Sequence, residues 1–265
     1  MSIELPIYQV DAFTSALFGG NPAAIVPLES WLDDELMLKI AAENNLAETA
    51  FIVAQGEGYG IRWFTPTVEM DLCGHATLAA AFVIFEFLRL GLRCVRFSTK
   101  VAGELRVKRR EDGRLELDFP ARPPKPLAAF PGLAQALGAV PRELHKSRDV
   151  VAVFDAADDV ARLKPDFRAL AALDTQAVIV TAKGRDGIDF VSRFFAPGIG
   201  VDEDPVTGSA HCTLIPFWAN RLGKTQLTAR QLSPRIGDLL CTAGPSRVGI
   251  AGHAVLYMRG HIYIA

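Results

Sequence analysis

Asp71-Leu72-Cys73-Gly74-His75-Ala76-Thr77 is echoed in the second half of the chain by Asp204-Pro205-Val206-Thr207-Gly208-Ser209-Ala210. Around these stretches the chain repeats itself. Arg62-Trp63-Phe64-Thr65-Pro66 returns as Arg193-Phe194-Phe195-Ala196-Pro197, and Arg89-Leu90-Gly91 as Arg221-Leu222-Gly223. Two copies point to two similar domains, whereas a solenoid needs three or more repeats. Gly74 and Gly208 each stand before an apolar stretch of helical length. Two facing copies would leave a cleft between them, with a polar, glycine-preceded helix start from each pointing into it. That is where the chemistry is expected.

The 265 residues suit one large domain or two of about 130. Half of them are hydrophobic, enough for a real core. The net charge of −2, from 28 basic and 30 acidic residues, gives no electrostatic case for nucleic acid or an anionic membrane. Cys73, Cys94, Cys212 and Cys241 show no regular spacing, which favours reduced thiols in a cytoplasmic protein. The opening Met1-Ser2-Ile3-Glu4-Leu5-Pro6 lacks the basic and apolar regions of a signal peptide. Residues 72–88 are apolar but short for a membrane span and contain His75 and Glu86, so they read as a central buried helix.

Residues 3–10 and 23–26 read as strands around the turn Gly19-Gly20-Asn21-Pro22. Ser30-Trp31-Leu32-Asp33 resembles a capping box for a helix over 33–43. Residues 50–53 and 61–64 read as a hairpin, 75–90 as the apolar helix, and 104–108 with 115–119 as a second hairpin. Four prolines in Pro120-Ala121-Arg122-Pro123-Pro124-Lys125-Pro126 exclude a helix interior or central strand and mark the domain boundary. The expected domains are 1–122 and 127–265. In the second, 177–181, 190–194 and the helix 209–222 repeat the plan, and 247–265 reads as short strands broken by Gly249, Gly252 and Gly260. The fold class is α+β: a curled sheet around a buried apolar helix, made twice.

Several residues could carry chemistry. The free N–H groups and dipole of a helix start attract anions, and Gly74 and Gly208 would let a ligand approach closely. Alternatively the glycines only permit tight packing, with Thr207 and Ser209 as simple caps. Glu48, between a helix end and an apolar strand, is either a solvated loop residue or a partly buried acid/base. His75 is a proton donor, a substrate ligand or a capping residue without further role. Asp204 orients a substrate or caps its turn, while Asp202 and Glu203 read as solvated charges. Cys73, His75, His211 and Cys212 invite a zinc reading, but adjacent His211 and Cys212 on a helix would point apart, so no metal is expected. A Cys73–His75 thiolate is a minority reading, because side chains two apart on a helix do not face each other. No Walker A or Rossmann fingerprint is present.

These pieces together resemble the PhzF-like family, named for the phenazine-biosynthesis isomerase. The matching stretches are Asp11-Ala12-Phe13-Thr14 with Gly20-Asn21-Pro22-Ala23-Ala24, then Asn45-Leu46-Ala47-Glu48-Thr49-Ala50-Phe51. The glycine-helix stretches quoted above complete the set, in order, over nearly the whole chain. The resemblance implies the diaminopimelate-epimerase-like fold and a cofactor-free isomerase that moves a proton on a small carboxylate. It implies Glu48 as acid/base, His75 and Asp204 as its catalytic companions, and Asn21, Cys73, Gly74, Gly208 and Ser209 as substrate-binding positions. It also suggests a homodimer. Related epimerases use two cysteines. Cys73 stands where the first would be, but Asp204-Pro205-Val206-Thr207-Gly208 offers no second, which argues against a two-thiol racemase. A Cys73-dependent epimerase and a non-catalytic ligand-binding protein are the alternatives. The family tends to read Arg-Gly-Gly near its C-terminus where Arg235-Ile236-Gly237 stands here, so Ile236 is expected to narrow a pocket wall.

Overall fold

Residues 48–55, Glu-Thr-Ala-Phe-Ile-Val-Ala-Gln, form a strand whose middle is buried on both faces. Such a strand reads as a continuous apolar run because helices cover both sides of its sheet. The computed structural model describes residues 3–264, so Met1, Ser2 and Ala265, at the ends of the expected domains and of the stretch read for a leader, lie outside the described residues. In chain order, the first elements are β1 (Ile3–Ala12), β2 (Asn21–Leu28), α1 (Asp34–Asn44), β3 (Glu48–Gln55), β4 (Gly58–Phe64), β5 (Glu69–Met70) and α2 (Gly74–Val83). A π-turn over Ile84–Leu88 extends α2, closed by the Arg89 amide on the Ile84 carbonyl. Then come β6 (Cys94–Ser98), β7 (Glu104–Arg109), β8 (Leu115–Pro120), β9 (Lys125–Pro126), α3 (Leu133–Leu137), β10 (Glu143–Lys146) and β11 (Val150–Val153). The rest are α4 (Ala157–Arg162), α5 (Phe167–Ala171), β12 (Val178–Lys183), β13 (Phe190–Phe195), α6 (Gly208–Leu222), β14 (Gln226–Gln231), β15 (Gly237–Ala243), β16 (Arg247–Gly252) and β17 (Ala254–Ile264).

The chain divides into two compact units, Met1–Asp118 with Ala251–Ala265, and Phe119–Ile250. In the first, β1 and β2 are antiparallel, β2 and β3 parallel, β3 and β4 antiparallel, β4 and β6 parallel, and β6 and β7 antiparallel. In the second, β10 to β15 repeat that alternation strand for strand. The parallel steps need crossovers, and α2 and α6 supply the equivalent ones. Each unit is thus α+β, a curled sheet against a central apolar helix, as expected. All of α2 except Phe82 is buried, which is why its sequence shows no polar face. Among the described residues no helix is long and apolar enough to cross a membrane.

The sheets are covered on their other face as well. In the first unit Phe51 and Val53 pack with Val26 on Met37, Ile40 and Ala41 of α1. In the second, Val150, Ala152, Val178 and Val180 pack on Leu133, Ala136 and Leu137 of α3, Val160 of α4 and Leu170 of α5. Three short helices do there what α1 does in the first unit.

Two expectations differ from the structure. Of the breaks expected in 247–265 only the one at Gly252 is present: β16 passes through Gly249, and β17 runs through Gly260 and pairs with β1 from Ile3↔Ile264 to Ala12↔Ala254. That long-range pairing puts the chain's end in the first unit rather than in a domain reaching from 127 to 265. Nor does Ser30 cap α1. The N-cap is Asp33, with no side-chain cap bond, and the turn closes through backbone bonds from Leu36 and Met37 to Asp33.

Candidate active site

Three elements of the first unit begin at one place. Asn21 opens β2, Glu48 opens β3 and His75 is the second residue of α2. Parallel pairing sets Ala23 opposite Glu48, which brings the starts of β2 and β3 together. The His75 ring lies among them: Nε2 is 3.1 Å from Glu48 Oε2, and Nδ1 is 3.0 Å from Asn21 Nδ2 and 3.5 Å from Cys73 Sγ. Glu48 Oε2 and His75 Nε2 have no aligned hydrogen-bond partner among the described residues, so their contact is one of charge at close range. The Glu48 side chain is 13% exposed and that of His75 3%, so Glu48 is the less buried member of the pair. Glu48 is thus partly buried rather than a solvated loop residue.

Burial by itself would draw the proton from His75, but Cys73 and Glu48 outweigh it and hold His75 well above its ordinary range. Burial, and then the Glu48 charge, push the Cys73 thiol up to about 11. A thiol that ionises there is uncharged at neutral pH, which leaves Glu48 as the neighbour whose charge raises His75.

Cys73 and His75 meet, although side chains two apart within a helix do not face each other. Cys73 is the N-cap, in extended conformation at φ −133°, so it lies outside the helix and its sulfur reaches the ring. Glu48, Cys73 and His75 place donor atoms within 4.8 Å of one another. They make a poor metal site, because the ring turns opposite nitrogens to the carboxylate and the thiol.

The remaining expected residues lie in the second unit. Asp204 is half-buried; its carboxylate accepts the Thr207 hydroxyl and its carbonyl accepts Gln231 Nε2 at 2.7 Å. Thr207 is the N-cap of α6, but its hydroxyl serves Asp204 and not the helix, so it is not a simple cap. Gly208 begins the helix, and Ser209 Oγ accepts Arg148 Nη2 at 3.2 Å. Arg148 in turn forks onto Asp149, which is 2% exposed, at 3.1 and 3.0 Å. Arg148, Asp149 and Gln231 escaped the sequence reading; the only hint was a charged pair set directly before the apolar run Val150–Val153. Glu203 is not a solvated charge: it accepts a bidentate fork from Arg193 at 2.7 and 2.9 Å. Ile236 sits at φ +53° in the turn between β14 and β15 and is 46% exposed. It therefore occupies a left-handed position that suits glycine.

A family model described as "Phenazine biosynthesis-like protein" matches residues 10–260. A Pseudomonas aeruginosa protein named an uncharacterized isomerase is 53% identical over 99% of this chain and 100% of its own. The crystal structure of a phenazine biosynthesis protein of the PhzF family from Enterococcus faecalis superposes with a TM-score of 0.95, at 47% identity over 99% of this chain and 100% of that one. A hydroxyproline epimerase from Agrobacterium vitis, at 11% identity and a TM-score of 0.64 over 98% of this chain and 93% of that one, shares the fold.

Proposed function

From the premise that this chain belongs to the phenazine biosynthesis-like protein family, we propose that it is an isomerase that moves a proton on a small unsaturated or amino carboxylate, with Glu48 as the acid/base and without a cofactor. The observation that carries this reading is the Glu48–His75 pair at 3.1 Å, with Glu48 as its less buried member. Glu48 takes a proton from carbon and returns it elsewhere on the skeleton. As it does so, negative charge moves from the carboxylate to the substrate, and the buried imidazolium faces that charge in a medium where it counts for more than in water. Any carboxylate is a weak base, so in this reading the substrate carbon is already activated, by a neighbouring carbonyl or an extended unsaturated system. The substrate's polar groups fall in this reading to Gly74, Asp204, Gly208 and Ser209. The protein is cytoplasmic in this reading, which its free cysteines suit, and a homodimer, which sedimentation checks.

A Cys73-dependent epimerase is less well supported, because the thiol that ionises near pH 11 is no nucleophile at neutral pH. The test is proton NMR in D₂O with a panel of small carboxylates that includes dihydro-hydroxyanthranilate and diaminopimelate. Deuterium should enter one of them with wild-type protein, and Glu48→Gln should slow that exchange by about 10²- to 10⁴-fold while the protein stays folded. Undiminished exchange in the variant would remove Glu48 from the mechanism. Binding without exchange would favour a ligand-binding protein.

A further inference from the structure

We infer that Asn21 is a positioning residue: its side-chain amide holds the His75 ring by Nδ1 in either protonation state, so that Nε2 stays aimed at Glu48. Asn21 is 0% exposed, which removes it from direct contact with a substrate and gives its side chain another task. Its place is fixed by the chain before it. Gly20 sits at φ +59°, and a Cβ there would lie 2.0 Å from the Ala12 carbonyl oxygen, so this tight turn admits only glycine. The turn sets Asn21 opposite Ala12 at the start of β2, 3.0 Å from His75 Nδ1.

The residue type matters. An asparagine side chain carries both an NH₂ donor and a carbonyl acceptor of nearly the same shape. The NH₂ donates to a bare Nδ1, and after a half-turn of the amide the oxygen accepts from Nδ1–H. An aspartate could only accept, and an alanine could do neither. The charged and titratable groups that face the ring are Glu48 at Nε2 and Cys73 at Nδ1. Cys73, at 3.5 Å and as a weak donor, cannot hold the ring alone. Without Asn21 the ring loses its hold on the side away from Glu48, and a misdirected Nε2 leaves the carboxylate without its partner.

This rests on the acid/base reading of Glu48, so the experiment has one arm that needs no turnover. In ¹⁵N-labelled protein, the His75 ring nitrogens are followed by long-range ¹H–¹⁵N correlation from pH 5 to 10 in wild type, Asn21→Asp and Asn21→Ala. The isosteric aspartate should keep His75 protonated to higher pH than in wild type, with Nδ1 carrying the proton. The alanine variant should show mixed tautomers once the ring is neutral. In deuterium exchange, Asn21→Ala should lower kcat by about tenfold or more with KM little changed, and Asn21→Asp should move the alkaline limb of the pH profile upward. His75 signals unchanged in both variants would overturn the inference. So would a rise in KM at constant kcat, which would make Asn21 a substrate-binding residue. If no panel compound exchanges even with wild-type protein, the acid/base reading fails and the NMR titration alone decides the role of Asn21.

Discussion

Glu48 has no chemical counterpart in the second copy. Thr49 pairs with Phe64 and Val178 with Phe195, so the residue equivalent to Glu48 is Ala177. His75 likewise corresponds to Ser209, since both follow the glycine that opens the helix. Duplication supplied two scaffolds, and only the first carries the Glu48–His75 pair. This asymmetry is legible in the sequence as residue identities. What it cannot show is that Cys73 leaves the helix and turns its sulfur to the ring. The consequence of that contact is testable. Cys73→Ser should keep deuterium exchange within about threefold of wild type, since the thiol is neutral and acts at most as a weak donor. The rate at which a thiol reagent modifies Cys73 should stay low through neutral pH and climb only toward its value of about 11. Loss of exchange in the serine variant, with rapid alkylation at neutral pH, would return the mechanism to the thiol.

At the scale of elements, the repeated Arg-x-Phe of β4 and β13 builds the same device twice. Arg62 forks onto Glu69 at 2.7 and 2.8 Å with its guanidinium 5.2 Å from the Phe64 ring centre. Arg193 forks onto Glu203 and lies 4.9 Å from the Phe195 ring centre. Each fork ties a strand to the segment that leads into the central helix, β5 in the first unit and a loop in the second. The arginines were legible from their repetition, whereas Glu203 looked like one of three consecutive acidic residues on a loop. Equally illegible was 127–176, because helices of five or six residues are too short to show a period. The two forks differ in burial. Arg193 also donates to the carbonyls of Val160 and Leu163, and its Glu203 is 12% exposed against 27% for Glu69. Arg193→Met should therefore cost about 3–5 kcal/mol, the penalty for stranding a buried charge. Arg62→Met should cost less, about 1–2 kcal/mol, because Glu69 keeps Lys100 at 3.3 Å and some solvent. Urea midpoints for the two variants decide this, and equal losses would contradict the ranking.

For the whole molecule, the repeated motifs disclose the duplication and the fold class, but not that the last strand closes the first unit. The β1–β17 pairing joins the two ends of the chain, and no local pattern encodes a partner that distant. The duplication also sets two buried histidines in opposite electrostatic positions. His75 has Glu48 beside it and is held above its ordinary value, so its contribution to stability is present below about pH 6.5 and is lost as the pH rises through its folded value. His211, on α6, is 0% exposed and, among the described residues, has no carboxylate paired with it. Its Nδ1–H donates to the Thr207 carbonyl at 2.7 Å, and burial draws its pKa down to about 4. Between that value and about 6.5 the unfolded chain binds a proton at this site that the folded chain refuses. Stability from His211 is therefore complete above that window and is lost as the pH falls through it, by about 3 kcal/mol in all. Other groups titrate in the same range, so the clean measurement is a difference. His211→Asn can keep a donor for the Thr207 carbonyl but has no ring to protonate. It should be less stable than wild type at pH 7, through the packing lost around α6. That gap should narrow by about 3 kcal/mol in urea unfolding between pH 7 and pH 4, as wild type alone gives up its proton-linked stability. A gap that stays constant over this range would mean that His211 is protonated as easily folded as unfolded, and that the acid sensitivity of the molecule lies elsewhere.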